Sequence, residues 1–328
     1  MPICFGISFT NTMMNQARAL VHIYTDGSVG ISTGAVEMGQ SVNTKMMQVA
    51  AKCLGISIDN IKIETTNTTR VANTSPSAAS ATADLNGKAV VDACQQIMQR
   101  LCKMVAEIKT LGNHEVVTVV DAAIFVDGVQ TDLNWLHIIQ HAFVRRINLS
   151  AKGHYATPII KFDKLIEKGH PFAYHVYGTA MTITTVDCLR GTYEIDAVNV
   201  MHDFGTSMNR SVDLGQCEGG IVQGIGWMTM EEVLYNSDGK LLSNALSTYK
   251  IPDIYSVPKA LNVHFLNTDG TDMAILKSKA VGEPPLMYGI GAYFAIRNAV
   301  LAFNPNAAIN YEAPITPEKV LMALYNNK

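Results

Sequence analysis

Glu283 lies in the run Gly282-Glu283-Pro284-Pro285, a setting suited to acid–base chemistry. Proline fixes φ and donates no amide proton, so the turn after the carboxylate is rigid. The preceding glycine lets a ligand or another backbone come close. An apolar, glycine-spaced run, residues 286–294, follows at once. A carboxylate aimed into poorly hydrated space has a raised pKa and makes a useful general base. A surface carboxylate in a Pro-rich turn is the other reading of this segment taken alone.

Two glutamines join it. Glu37-Met38-Gly39-Gln40 and Asp213-Leu214-Gly215-Gln216 share the pattern acid–apolar–Gly–Gln, and each follows β-like sequence and leads towards a helix. Glutamine offers an amide donor and a carbonyl acceptor. At a helix start it would join unpaired backbone N–H groups, which suit oxygen-rich or anionic ligands. Simple helix capping is the alternative for either motif alone. A third segment, residues 74–84, carries small residues and hydroxyls directly into another helical stretch, so its amides fall at a helix start too. His137 and His141 have metal-ligand spacing but lack the Glu of His-Glu-x-x-His, and read as surface or packing residues. The glycines at 220, 224 and 226 do not match a dinucleotide fingerprint and read as close helix packing.

The elements that must position these residues are legible in part. Residues 19–24 and 28–32 alternate around Asp26-Gly27 and predict a hairpin. Helical spacing runs over 41–54 and 87–108, with a strand at 61–65 and a loop over 67–83. Residues 110–176 are less regular, with a helix expected near 133–141. A second β-rich section spans 177–187 and 193–203, and residues 216–233 read as a Gly- and Met-rich helix. The last helix opens at Thr316-Pro317, a cap followed by proline. The repeated motif implies an α+β fold of two related mixed α/β halves packed together, with helix starts converging. The boundaries expected are 1–150 and 151–328.

Composition narrows the classes. The chain has 328 residues, 48% hydrophobic and 16% charged, with formal net charge −3. Charge this sparse points to a large core or to apolar surface offered to partner chains. Nothing in the charge balance calls for nucleic acid or an acidic membrane. No apolar run is read as reaching the roughly 20 residues of a membrane span. Six cysteines without a Cys-x-x-Cys pair argue against both a zinc site and a disulfide scaffold and fit a reducing cytoplasm. The strand-like start, Phe5-Gly-Ile-Ser-Phe-Thr10, implies a neighbour to cover an edge.

Four of these segments, in order, resemble one family. Residues 34–40, 73–80, 213–216 and 279–285 are similar to the C-terminal part of the molybdopterin-binding region of xanthine dehydrogenases and aldehyde oxidases. Residues 5–10 and 244–252 extend the likeness over nearly the whole chain and tilt it towards xanthine dehydrogenase. The resemblance implies a molybdenum-dependent oxidoreductase that takes hypoxanthine and xanthine to urate. Glu283 would be the base, taking the proton of a molybdenum-bound hydroxyl as hydride passes to a sulfido ligand. Met38, Gly39, Gln40, Ala79, Ser80, Ala81, Thr82, Ala83, Gln216 and Gly282 would hold the molybdopterin. Phe9, Thr10, Ala78 and Ala79 would meet the substrate, with Ala79 beside the metal and no side chain ligating it. FAD, 2Fe-2S clusters and the first half of the molybdenum region would come from partner chains or domains. Aldehyde or another N-heterocycle as substrate, or a non-catalytic remnant, are the competing expectations. The family's Gly-Gly before the first motif is Ala35-Val36 here, its following glycine is Ser41, and its Asn-Pro before the second is Asn209-Arg210.

Overall fold

A computed structural model describes residues 1–110, 112, 116–266 and 268–326. The chain folds as two compact units. One holds residues 7–174 and 271–278; the other holds 1–6, 175–270 and 279–328. The division expected at residue 150 is therefore displaced, because strand pairing keeps residues 150–156 with the first unit's sheet.

In chain order, β1 (Pro2–Ile7) leads to β2 (Gln16–Ile23) and β3 (Val29–Thr33). Helix α1 (Val42–Leu54) and β4 (Ile61–Ile63) follow, then the 28-residue α2 (Thr82–Lys109). Next come β5 (Val117–Val120), β6 (Ala123–Val126), β7 (Val129–Asn134) and α3 (Trp135–Val144). Strands β8 (Ser150–Ala156), β9 (Lys161–Asp163) and β10 (Lys168–His170) precede the long hairpin β11 (Tyr174–Val186) and β12 (Tyr193–Asp203). Then α4 (Arg210–Thr229), β13 (Ala260–Leu266), α5 (Ile290–Phe303) and α6 (Pro317–Tyr325) complete the chain.

The 7–174 unit is built on a sheet ordered β4-β3-β2-β8. Strand β2 alternates half-buried and buried residues, with Ala17, Ala19, Val21 and Ile23 inward, as a one-sided sheet demands. The β2–β3 hairpin is antiparallel, and α1 carries the chain to β4, which pairs parallel to β3. The other unit repeats this plan. Its sheet is ordered β1-β11-β12-β13; β11 and β12 form the antiparallel hairpin, α4 follows, and β13 pairs parallel to β12. Both units thus share a β-β-α-β path, and each Gly–Gln motif falls in the connection after the hairpin.

Several elements lie elsewhere than their sequence pattern implied. β1 ends at Ile7, so Phe9 and Thr10 lie beyond the strand. Helix α2 begins at Thr82 rather than 87, and α4 begins at Arg210 rather than 216. The described residues of 110–176 contain five short strands and β8, most too brief for an alternation to register. A helical stretch, 284–303, is long and apolar enough by length and composition to cross a membrane, against the expectation of none. Tyr288, Ala292, Tyr293, Ile296 and Val300 on it belong to the core of its unit, which is how a buried helix passes the same test.

Helix α2 seats directly on the sheet at Gly153 of β8. A Cβ there would meet the Ala89 carbonyl oxygen at 1.9 Å and the Ala93 nitrogen at 2.7 Å, both backbone atoms that cannot swing aside. Gly153→Ala is therefore expected to destabilise this unit by about 2 kcal/mol or more, read as a lowered urea midpoint.

Candidate functional site

The 7–174 unit ties three of the sequence motifs together. The Ser77 hydroxyl accepts the Val36 N–H at 2.8 Å, joining the Gly–Gln loop to the small-residue loop. Gly34 lies against Thr74, where a Cβ would fall 1.8 Å from Oγ1. The Ser75 hydroxyl donates to the carbonyls of Met14 and Gln16, bringing in the segment that carries Phe9 and Thr10. That segment is closed on itself by Asn15, which accepts from the Phe9 N–H at 2.9 Å and donates to the Phe9 carbonyl at 2.8 Å. Phe9 is half-buried and Thr10 exposed.

The small-residue loop ends in backbone that side chains rarely adopt. Ala79 and Ser80 both hold positive φ, 53° and 52°. Consecutive left-handed non-glycine residues cost roughly 1–2 kcal/mol each, and strain of this kind clusters at ligand sites. Immediately after, α2 starts on Ala81, which has no side chain to cap it. The first-turn amides of Thr82 and Ala83 have no intrahelical acceptor, which is the donor-rich start the sequence implied.

Helix α1 differs. Glu37 caps it, accepting from the N–H groups of Gly39, Ser41 and Asn43. Partial burial raises its carboxyl, but the N–H groups of Asn43, Ser41 and Gly39 outweigh that and hold it below the usual range. Gln40 turns back on its own loop, donating to the Val36 carbonyl at 2.8 Å and accepting the Met38 N–H at 2.6 Å. At this helix start the amides of Ser41 and Asn43 are thus taken by Glu37, while Met38 and Gly39 stand exposed. Ser41, where the family has glycine, takes φ 61° and ψ 30°.

In the other unit, Asp213-Leu-Gly-Gln216 lies inside α4, not at its start. Asn209 caps that helix by accepting the Val212 N–H, and the helix has run almost two turns before Gln216. Arg210, where the family has proline, places its guanidinium 3.8 Å from the centroid of the Phe265 ring. Gln216 shares a helix face with Gly220, one turn on. Gly220 packs on Pro285, with 3.0 Å between a hypothetical Cβ and the proline Cβ. Gln216 and Glu283 therefore sit on adjoining elements. Pro284 and Pro285 are buried and open a 3-10 turn, Pro284–Gly289, while Glu283 and Gly282 are exposed. The poorly hydrated setting expected for Glu283 is not supplied by this chain: the prolines turn inward and leave the carboxylate outside.

Several groups essential to this geometry had no signature in the sequence. Asp84, in the first turn of α2, is buried and accepts from the Tyr174 hydroxyl at 2.6 Å and the Ile275 N–H at 2.8 Å. Burial pushes its carboxyl up to about 6. His202 is also buried, and burial pushes its ring down to about 4 against the pull of Asp203. His137 and His141 are exposed on α3, as read from the sequence.

These features fit a molybdopterin. Uncapped helix amides, the Thr82 hydroxyl, small residues on strained backbone and the open Gly39 offer donors and room to a flat ligand bearing oxygens. Among the described residues no group of three His, Cys, Asp or Glu could hold a metal.

The chain belongs to the molybdopterin cofactor-binding domain family, whose pattern matches residues 1–258. Xanthine dehydrogenase/oxidase of Mus musculus is 40% identical over 326 residues, 97% of this chain and 23% of that protein. Xanthine dehydrogenase of Oryza sativa subsp. japonica is 39% identical over 333 residues, 98% of this chain and 23% of that protein. The chain thus spans less than a quarter of the length of these relatives. Quinoline 2-oxidoreductase of Pseudomonas putida 86 shares the fold with a TM-score of 0.86 and 22% identity, covering 100% of this chain and 41% of its own. Aldehyde oxidoreductase of Desulfovibrio desulfuricans gives 0.77 at 22% identity, covering 98% and 31%.

Asp84 yields a testable sign. Its folded value lies above the ordinary 3.8, so the folded state holds a proton that the unfolded chain gives up. Its stabilisation is complete below 3.8 and lost as pH rises through about 6. Asp84→Asn keeps an acceptor for Ile275 and removes the charge. The variant is expected to gain up to about 3 kcal/mol over the parent at about pH 8 and nothing at about pH 4, read from urea midpoints.

Proposed function

We propose that this chain is the cofactor-holding component of a purine-oxidising molybdenum hydroxylase, taking hypoxanthine and xanthine towards urate, with Glu283 as its general base. One observation carries the reading: identity near 40% to xanthine dehydrogenases over almost the whole chain, with Lys279-Ala-Val-Gly-Glu283-Pro-Pro intact. When bound, the molybdenum cofactor supplies the oxidising centre and takes up the electron pair. The chain's own residues do the rest. Glu283 accepts, at a carboxylate oxygen, the proton of the attacking oxygen nucleophile. Phe9 packs on the flat heterocycle and Thr10 hydrogen-bonds it, with Ala78 and Ala79 keeping the approach clear. Ser80, Ala81, Thr82 and Ala83 hold the pterin with backbone N–H groups and hydroxyls. Met38 and Gly39 line it on the loop that Gln40 shapes, and Gln216 and Gly282 are further cofactor contacts.

The exposure of Glu283 has a natural counterpart in this reading. A base works best where water is excluded. Partner polypeptide carrying the rest of the molybdenum region would close over it, and 2Fe-2S and FAD centres there would carry electrons away. All six cysteines are unpaired, consistent with work in a reducing cytoplasm.

Glu283→Gln removes the base and keeps the shape. In the assembled enzyme we expect turnover of xanthine to fall by about 100-fold or more, with molybdenum content unchanged. Wild-type turnover in that variant rules out the role given to Glu283.

A further inference from the structure

The turn that carries Glu283 is fastened on both sides to consecutive residues at the end of β12. Before it, the Lys279 ammonium pairs with the Asp203 carboxylate at 2.5 Å, with the two side chains 11% and 1% exposed. The Lys279 N–H also donates to the Phe204 carbonyl at 2.8 Å, and its ammonium to the His175 carbonyl at 3.1 Å. The other Asp203 oxygen accepts from the Thr268 hydroxyl and the Gly205 N–H, so the carboxylate is fully engaged. After Glu283, the wholly buried Tyr288 places its hydroxyl 2.8 Å from Nδ1 of His202. Strand β11 makes room for that hydroxyl with Gly178, where a Cβ would lie 1.7 Å from it.

Backbone contacts close the rest. A Cβ at Gly224 of α4 would lie 2.1 Å from the Leu286 carbonyl oxygen, and one at Gly289 would lie 2.3 Å from the Gly224 carbonyl carbon. Glu283 itself is exposed. The backbone that carries it is fastened on both sides by these two polar anchors. A buried ion pair and a buried Tyr–His hydrogen bond contribute little net stability against apolar replacements. They do impose a direction that apolar packing lacks.

We propose that Tyr288 and Lys279 are positioning residues for the Glu283 carboxylate, acting through His202 and Asp203 as a two-point clamp on its turn. This rests on Glu283 being the base. Misplacing a base by an ångström costs rate while leaving substrate binding largely alone. Tyr288→Phe keeps the ring in the core and removes one anchor.

The test uses the assembled enzyme, with kcat normalised to molybdenum content and hydrogen exchange followed over residues 279–289. Tyr288→Phe is expected to lower kcat roughly tenfold, leave KM within about twofold, and speed exchange in that segment alone. Should this variant fail to fold, Lys279→Gln combined with Asp203→Asn asks the same of the other anchor without stranding a buried charge. Unchanged kcat per molybdenum, or a loss confined to KM or to cofactor content, overturns the clamp. Glu283→Gln is run beside it. If that variant is inactive while the anchor variants turn over normally, the clamp alone fails. If it is active, the base assignment fails.

Discussion

Two consecutive buried polar residues, His202 and Asp203, hold the segment that carries Glu283, the base we propose. Alternation along a strand sends neighbouring side chains to opposite faces. At the last two positions of β12 that alternation is turned to use: one residue reaches Tyr288 and the other Lys279, on either side of Glu283. Burial makes each contact all-or-none. His202 is kept neutral by its surroundings, and Asp203 has no water to replace Lys279 if that partner is removed. The exposed turn between them is thereby anchored at both ends.

The same economy appears in the scaffold. Each unit runs an antiparallel hairpin, a helix and a parallel third strand, and in each the connection after the hairpin carries an acid–apolar–Gly–Gln motif. The two connections have diverged in use. After β3 the motif is a loop, stabilised by Glu37 on the Asn43 and Ser41 amides and by Gln40 on its own backbone. After β12 the motif has been absorbed into α4, whose glycines at 220 and 224 admit the turn after Glu283 to backbone contact. In the same unit α2 starts on Ala81 with no side-chain cap.

The parts legible in the sequence were those with local signatures. Proline pairs, glycine spacing and hydroxyl-rich stretches mark Glu283, the Gly–Gln loop and residues 74–83 because the backbone chemistry is written in the residues themselves. The hairpins at 16–33 and 174–203 follow from alternation and turn residues. What escaped depends on partners distant in the chain. Nothing local separates Asp84 from an ordinary first-turn acid, since its character comes from Tyr174 and Ile275. Nothing in residues 193–203 marks His202 as the partner of Tyr288. The first turns of α4 carry no apolar spacing at Arg210-Ser-Val, so only the Asn209 cap marks where it begins. Nothing local decides between the desolvated and surface readings of Glu283, because the rigid prolines that mark it are themselves the buried part.

The most direct test is anomalous diffraction at the molybdenum edge from crystals of the assembled enzyme. The account predicts one molybdenum peak facing the Glu283 carboxylate, with the 279–289 turn held as it is here by His202 and Asp203. A peak remote from Glu283, or a Glu283 directed into open solvent in the complete assembly, would contradict it.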